Sequence, residues 1–204
     1  MSAPPRIVLA SASPRRADLL RQLGLDVDVR PADVDERFLP HEDPAAHVDR
    51  LARSKAEEVA AREPGALVVG GDTVVVLRGA PLGKPTDADR AVEMLLALSG
   101  RSHEVLTGVA IAGPHGTVSA MGRARVRFRS FDVEDARAYV RTGEPLDKAG
   151  AYGIQGYGAA LVDELFGDYY TVVGFPVGRF LELLEGLGWR YAFGRLVPAS
   201  DPLD

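Results

Sequence analysis

The chain has 204 residues, 46% of them apolar and 26% charged, with a net charge of −5 and no cysteine. This size and composition are typical of a globular protein with a substantial core, and the lack of cysteine excludes disulfides, thiolate catalysis and cysteine-bound metal centres. The acidic balance argues against a general nucleic-acid binder, and no apolar run has the length of a signal peptide or membrane span, so we expect a cytoplasmic protein without a membrane partner.

The first half of the chain alternates between strand and helix patterns. Short apolar or alternating runs predict strands at residues 6–10, 26–30, 66–70 and 73–77, the last two separated by a break at two glycines. Amphipathic periodicity and capping residues predict helices at residues 14–23 and 45–62. Strands and helices in alternation are typical of a mixed α/β fold.

The second half is richer in strands. A capping box from Thr86 to Asp89 predicts a helix, followed by two long strands, a helix from about Asp132 to Gly143, a glycine-rich segment, a last strand pair and a helix at 176–187. We expect one domain over residues 1–197 and a disordered tail over 198–204, where proline and aspartate dominate.

Two adjacent arginines, Arg15 and Arg16, lie in the first turn of the first predicted helix. The helix dipole already places positive partial charge there, so cations at this position are unfavourable unless an anion binds. The pair therefore indicates an anion site at the turn between the first strand and the first helix.

Asp72 follows a buried strand directly, with glycines before it and Thr73 after it. The carboxyl ends of strands are where ligand crevices open in α/β sheets, and a carboxylate there can bind a metal ion or accept a proton from water. The alternative is a turn aspartate that accepts hydrogen bonds from nearby backbone.

Lys55 lies on the apolar stripe of the second predicted helix, together with Leu51 and Val59. An unpartnered buried ammonium is costly, so Lys55 either has a partner or extends its charge to solvent. With Arg15, Arg16 and Lys84, which lies in a Gly-Lys-Pro turn, it forms a set of cations of the kind that binds phosphates.

Glu36, in an acidic loop, is a candidate ligand for a hard cation such as Mg²⁺. The four histidines lack the spacing of metal ligands and are expected to be surface or hydrogen-bonding residues. The glycines at 150–158 are not followed by Gly-Lys-Ser/Thr, which excludes a Walker-type loop. The alternating basic strand at 123–129 fits a solvated or dimer-facing surface better than a nucleic-acid surface.

Several motifs in order resemble those of the Maf-like nucleoside triphosphate pyrophosphatases. They are SASPRRADLL, DE in the following loop, LARSKA, GGDTVV, GKP, LSGRSHEVLTGVAI, GEPLDKAGAYGIQG and GDYYTVVGFPV, and the resemblance extends from about Leu9 to Val177. The resemblance implies a mixed α/β sheet in two lobes that flank a nucleotide-binding cleft. Members of the family are often dimeric, so a homodimer is a possible assembly for this chain.

The resemblance implies hydrolysis of a nucleoside triphosphate between its α- and β-phosphates, with Mg²⁺ or Mn²⁺ as cofactor. The resemblance implies that Asp72 is the proton acceptor and that Asp72 and Glu36 are metal ligands. The family's phosphate-binding positions fall on Ser11, Arg15, Arg16, Lys55 and Lys84. The family is associated with removing modified nucleotides and with cell-division arrest, and no stable nucleic-acid partner is implied.

The segment DKAGAYGIQG resembles the branch of the family that acts on dTTP and UTP. We expect Gln155 to contact the base, since its amide offers both donors and an acceptor, or else to bond only the loop backbone. Arg15 and Thr73 flank the same cleft in the family. The alternative function is a non-catalytic regulator of cell division that binds nucleotide or nucleic acid, and Asp72 favours the enzyme.

Overall fold

The computed structural model describes residues 4–200. Its strands are β1 (Ile7–Leu9), β2 (Val27–Val29), β3 (Leu67–Leu77), β4 (Ala80–Leu82), β5 (Ser102–Gly113), β6 (Gly116–Phe128), β7 (Val162–Gly167), β8 (Trp189–Tyr191) and β9 (Leu196–Pro198). Its helices are α1 (Pro14–Gln22), α2 (Pro44–Ala60), α3 (Ala88–Leu98), α4 (Val133–Arg141), α5 (Tyr169–Val173) and α6 (Val177–Gly186). Over residues 4–200, no helix combines the length and the apolar character that crossing a bilayer requires.

A mixed sheet confirms the predicted α/β class. Its strand order is β2-β1-β3-β5-β6-β7, with β4 paired to β3. β1 is parallel to both β2 and β3, and Leu9 pairs with Val29 on one side and Val69 on the other. β4 and β7 are antiparallel to their neighbours, so parallel and antiparallel pairings coexist. The connection after β1 therefore begins at the carboxyl end of a buried parallel strand.

The described chain divides into two compact units. The first comprises the residues up to Asp72, residues 107–122 and the residues from Gly174 onward, and the second comprises residues 73–106 and 123–173. Strands β3, β5 and β6 each contribute residues to both units.

In the first unit, α2 packs closely on the sheet through small residues. Ala52 and Ala56 of α2 contact Ala110 and Ala112 of β5. A Cβ on Gly70 would overlap the carbonyl oxygen of Ala52, so only glycine lets β3 and α2 approach this closely. The strand break predicted at the two glycines is wrong, because β3 continues through them.

In the second unit, α3 begins one residue later than the capping box predicts. Asp87 is the N-cap, and its Oδ1 accepts a hydrogen bond of 2.7 Å from the Arg90 backbone N–H. The Thr86 hydroxyl instead donates to the Asp87 carboxylate. Since Asp caps a helix as well as Thr does, the pattern located the helix but not the capping side chain.

The end of the chain differs from the predicted order. A single strand, β7, follows the glycine-rich segment, and the strand pair β8–β9 comes after α6. The predicted tail begins at Pro198, which is the last residue of β9, and the Ala199 N–H donates to the Gly188 carbonyl. Residues 201–204 of that tail lie outside the described residues.

We expect a buried histidine in the second unit to make stability depend on pH. His103 is 2% exposed, its Nε2 lies 2.9 Å from the Tyr152 hydroxyl, and its Nδ1 has no hydrogen-bond partner within residues 4–200. Burial lowers the pKa of His103 to about 4. The ordinary pKa in an unfolded chain is about 6.5, so between these values the unfolded state binds more protons than the folded state.

We therefore expect the free energy of unfolding to fall as the pH is lowered from about 6.5 to about 4. The contribution of His103 is on the order of 3 kcal/mol across that window. Urea unfolding at several pH values checks this against His103→Gln, which keeps a polar contact for Tyr152 but does not titrate. Equal pH slopes for the parent and the variant would contradict the prediction.

Candidate functional site

The turn between β1 and α1 is organised around the side chain of Ser11. Its hydroxyl oxygen accepts hydrogen bonds from the Ser13 backbone N–H at 3.2 Å and from Arg16 Nη1 at 2.9 Å. Arg16 Nε also donates to the Gly174 carbonyl at 2.8 Å. Ser13 is the N-cap residue, and Pro14 at the first helical position leaves one fewer backbone donor to satisfy. The contacts with Ser11 and Gly174 hold the guanidinium of Arg16 in a buried position.

Arg16 is a buried cation, while Arg15 is half-buried. Burial lowers the pKa of the Arg16 guanidinium, and the neighbouring charge of Arg15 lowers it further. The carboxylates of Asp72 and Glu36 act in the opposite direction and stabilise the charged form. A guanidinium stays charged in spite of burial, so positive charge persists in the interior of the first unit.

Lys55 lies between two carboxylates. Its Nζ is 2.8 Å from Asp72 Oδ1 and 2.6 Å from Glu36 Oε1. The Lys55 side chain is only 8% exposed, so the ammonium lies in ion pairs and not in solvent. Asp72 comes from the middle of β3, Lys55 from α2 and Glu36 from the segment between β2 and α2. Three separate parts of the first unit therefore converge on one ammonium group.

A second group of polar residues beside Asp72 was missed by sequence reasoning. His47 is 4% exposed, with Nε2 4.0 Å from Asp72 Oδ2 and Nδ1 2.9 Å from Glu42 Oε2. Arg50 Nε donates to Glu42 Oε1 at 2.6 Å. Helical periodicity contains a signal for His47, because it precedes Lys55 by two turns and lies on the same face of α2.

The remaining predicted site residues belong to the second unit. Thr73 is half-buried, and Lys84 and Gln155 are exposed. The Gly150 N–H donates to the Gly83 carbonyl at 3.0 Å, which places the turn of Lys84 beside the glycine-rich segment that carries Gln155. Of the predicted set, the first unit thus contains Ser11, Arg15, Arg16, Glu36, Lys55 and Asp72, and the second contains Thr73, Lys84 and Gln155.

The carboxylate of Glu144 forms hydrogen bonds that stabilise the segment that carries Gln155. It accepts hydrogen bonds from the Tyr139 hydroxyl at 2.7 Å, the Tyr157 N–H at 2.8 Å and the Gly158 N–H at 3.1 Å. Burial alone would raise the pKa of Glu144, but these hydrogen bonds outweigh it and lower the pKa. Gln155 itself is exposed, so its side chain is in contact with solvent.

The predicted site residues of the first unit combine cationic side chains with carboxylates. Cationic side chains can bind phosphate oxygens, and a carboxylate can accept a proton or bind a cation. Residues 4–200 contain no group of three or more histidine, aspartate or glutamate side chains arranged to hold a metal ion.

Comparisons with known proteins identify the family. The model of the family described as "Maf-like protein" matches residues 6–187. The dTTP/UTP pyrophosphatase of Symbiobacterium thermophilum is 50% identical over 184 residues, covering 90% of this chain and 95% of that protein. The protein of the same name from Moorella thermoacetica is 51% identical over 187 residues, with the same two coverages.

A solved structure supports the fold. The Staphylococcus aureus Ham1 protein matches with a TM-score of 0.50 at 16% identity, covering 89% of this chain and 97% of that one. A likeness at this identity concerns the fold alone. The match of the family model over nearly the whole chain, together with relatives at half identity, shows that the chain belongs to the Maf-like protein family.

Proposed function

We propose that the protein is a nucleoside triphosphate pyrophosphatase. It adds water across the bond between the α- and β-phosphates and yields a nucleoside monophosphate and pyrophosphate. The names of relatives at about half identity support this reaction, and dTTP and UTP are the substrates in those names. The observation in the structure that carries the proposal is the contact of Lys55 with both Asp72 and Glu36.

Asp72 is proposed as the proton acceptor for the attacking water. Lys55 donates to its Oδ1, which fixes the orientation of the carboxylate. A non-catalytic binding site for an anion has no use for a carboxylate in this position, because it would repel the phosphates. A hydrolase uses such a group to accept the proton that the water loses.

Ser11, Arg15, Arg16, Lys55 and Lys84 are proposed to bind the phosphates. The anchoring of Arg16 by Ser11 and the Gly174 carbonyl holds its guanidinium in one orientation before substrate binds. Positively charged groups that are already oriented stabilise the charge that develops on the leaving pyrophosphate without reorganisation.

The carboxylates of Glu36 and Asp72 are proposed to bind a divalent cation. Both lie within 3 Å of one ammonium group, so they converge on a site that already accommodates positive charge. Magnesium is usually bound by one or two carboxylates together with substrate phosphates, and this donor set matches that pattern. When bound, Mg²⁺ or Mn²⁺ would screen the phosphate charge and polarise the phosphate oxygens.

Product identification tests the proposed reaction. The purified protein is incubated with each nucleoside triphosphate and Mg²⁺ or Mn²⁺, and the products are separated by ion exchange. Equal amounts of monophosphate and pyrophosphate are expected. Diphosphate with orthophosphate would show that a different bond is cleaved, and no turnover would favour a non-catalytic regulator.

The base preference is proposed to depend on Gln155. Its exposed amide can pair with the donor and acceptor edge of uracil or thymine. With dTTP, UTP, CTP, ATP, GTP and 7-methyl-GTP as a panel, we expect the parent to prefer dTTP and UTP. Gln155→Ala should reduce that preference in kcat/KM by roughly tenfold or more, since the base edge loses its hydrogen bonds.

Gln155→Glu is the matched variant, because it keeps the size of the side chain and removes the two amide donors. It should lose the preference almost as fully as Gln155→Ala. A parent that hydrolyses all six nucleotides equally, or that favours purines, would exclude the pyrimidine assignment and leave the pyrophosphatase proposal intact. We also propose that the enzyme acts in the cytoplasm, as a homodimer and without stable nucleic acid.

A further inference from the structure

A group of contacts joins the segment of Glu36 to helix α2 independently of Lys55. Residues 30–43 contain no helix or strand, and Glu36 lies in this segment with 53% of its side chain exposed. Two residues later, the ring of Phe38 stacks on the imidazole of His47, with centroids 3.5 Å apart and planes 2° from parallel. His47 is buried, so it provides a fixed surface for the ring.

Glu42 adds hydrogen bonds to the same segment. Arg50 donates to the Glu42 carboxylate through Nε at 2.6 Å and Nη2 at 2.8 Å, and Nη2 also reaches the Arg37 carbonyl at 3.2 Å. The Leu39 N–H donates to Glu42 Oε2 at 3.0 Å. The Arg37 carbonyl is therefore bonded directly to α2, and the Leu39 N–H is linked to α2 through Glu42. Arg37 is the residue directly after Glu36.

The carboxylate of Glu42 also determines how His47 is oriented. The hydrogen bonds from Arg50 hold the pKa of Glu42 far below its usual range, against the opposing effect of burial. His47 Nδ1 forms a hydrogen bond of 2.9 Å with Glu42 Oε2, and Arg50 Nη2 lies 3.2 Å from the same nitrogen. This bond fixes the ring plane on which Phe38 stacks, and it points Nε2 toward Asp72.

We propose that Phe38, Glu42, His47 and Arg50, here called the loop clamp, position Glu36 beside Lys55. They act as positioning residues and contact neither phosphate nor base. An irregular segment loses conformational entropy when it is fixed. The contacts of the loop clamp offset this loss before the substrate binds. The inference rests on the proposed function, because it assigns the clamp its effect through a carboxylate of that site.

Phe38→Ala tests the loop clamp with little risk to folding, since Phe38 is 37% exposed. Amide hydrogen exchange of the protein alone should be faster by roughly tenfold or more at residues 37–42, because ordering one residue costs about that factor. Exchange in α2 should not change. In the assay of triphosphate hydrolysis, KM should rise about tenfold while kcat changes by less than about threefold.

Two matched variants distinguish a positioning role of the Phe38 ring from a general loss of structure in the segment. Phe38→Tyr keeps the stacked ring and should restore both exchange and KM. Leu39→Ala removes a more exposed apolar side chain from the same segment and should leave both unchanged. In a Glu36→Gln background, Phe38→Ala should have no further effect on KM, because the clamp acts through Glu36.

The results distinguish this inference from the proposed function. A parent that forms no pyrophosphate would overturn the proposed function, and amide exchange alone would then decide whether the clamp holds the segment. Unchanged exchange in Phe38→Ala overturns the clamp whatever the activity. Faster exchange with an unchanged KM in an active enzyme also overturns it, since the contacts would then be structural only.

Discussion

Replacing Asp72 with asparagine is expected to reduce the turnover of nucleoside triphosphates by a factor of roughly 10²–10⁴. Asparagine has nearly the same shape but cannot accept a proton from water, and it lacks the charge that attracts a divalent cation. The hydrogen bond from Lys55 to the side-chain oxygen can still form, so the local structure should persist. Steady-state kinetics with dTTP and UTP provide the measurement.

The control for this prediction is Asp26→Asn, which makes the same chemical change at an exposed position next to β2. It should keep the parent's kcat and KM, and circular dichroism should show that both variants are folded. A value of kcat near that of the parent in Asp72→Asn would show that another group accepts the proton.

Replacing Lys55 with methionine is expected to lower kcat/KM by roughly 10²-fold or more, the usual cost of losing one oriented donor in a catalytic site. Methionine retains most of the apolar stem of Lys55 but leaves Asp72 and Glu36 as neighbouring carboxylates without their shared cation. Since Glu36 is half exposed and water screens part of the repulsion, we expect a loss of about 1–2 kcal/mol in the free energy of unfolding.

A double-mutant cycle with Asp72→Asn tests the physical reason for that loss. Removing one carboxylate relieves the repulsion, so the double variant should be more stable than the sum of the single changes by about 1 kcal/mol. Lys55→Arg keeps the charge and should retain most of the stability without full activity. Additive effects in the cycle would mean that the ion pairs do not couple and that Lys55 stabilises α2 through its stem alone.

Local sequence patterns predicted the fold class and the type of chemistry because both depend on short-range physics. Hydrophobic periodicity located β1, α1, α2 and β3, and it identified Lys55 as a charge on an apolar stripe. It failed at Gly70, where glycine is required inside β3 because the backbone of α2 approaches closely, and periodicity does not show such a contact between two elements.

The family, the mixed α/β class and the residue types available for phosphate chemistry could be predicted from the sequence, since ordered motifs and periodicity are visible without coordinates. The position of Lys55 between Asp72 and Glu36 and the stacking of Phe38 on His47 became visible in the folded chain. Such contacts depend on how α2 packs on β3 and on the path of an irregular segment. Neither has a period, so no local pattern predicts them.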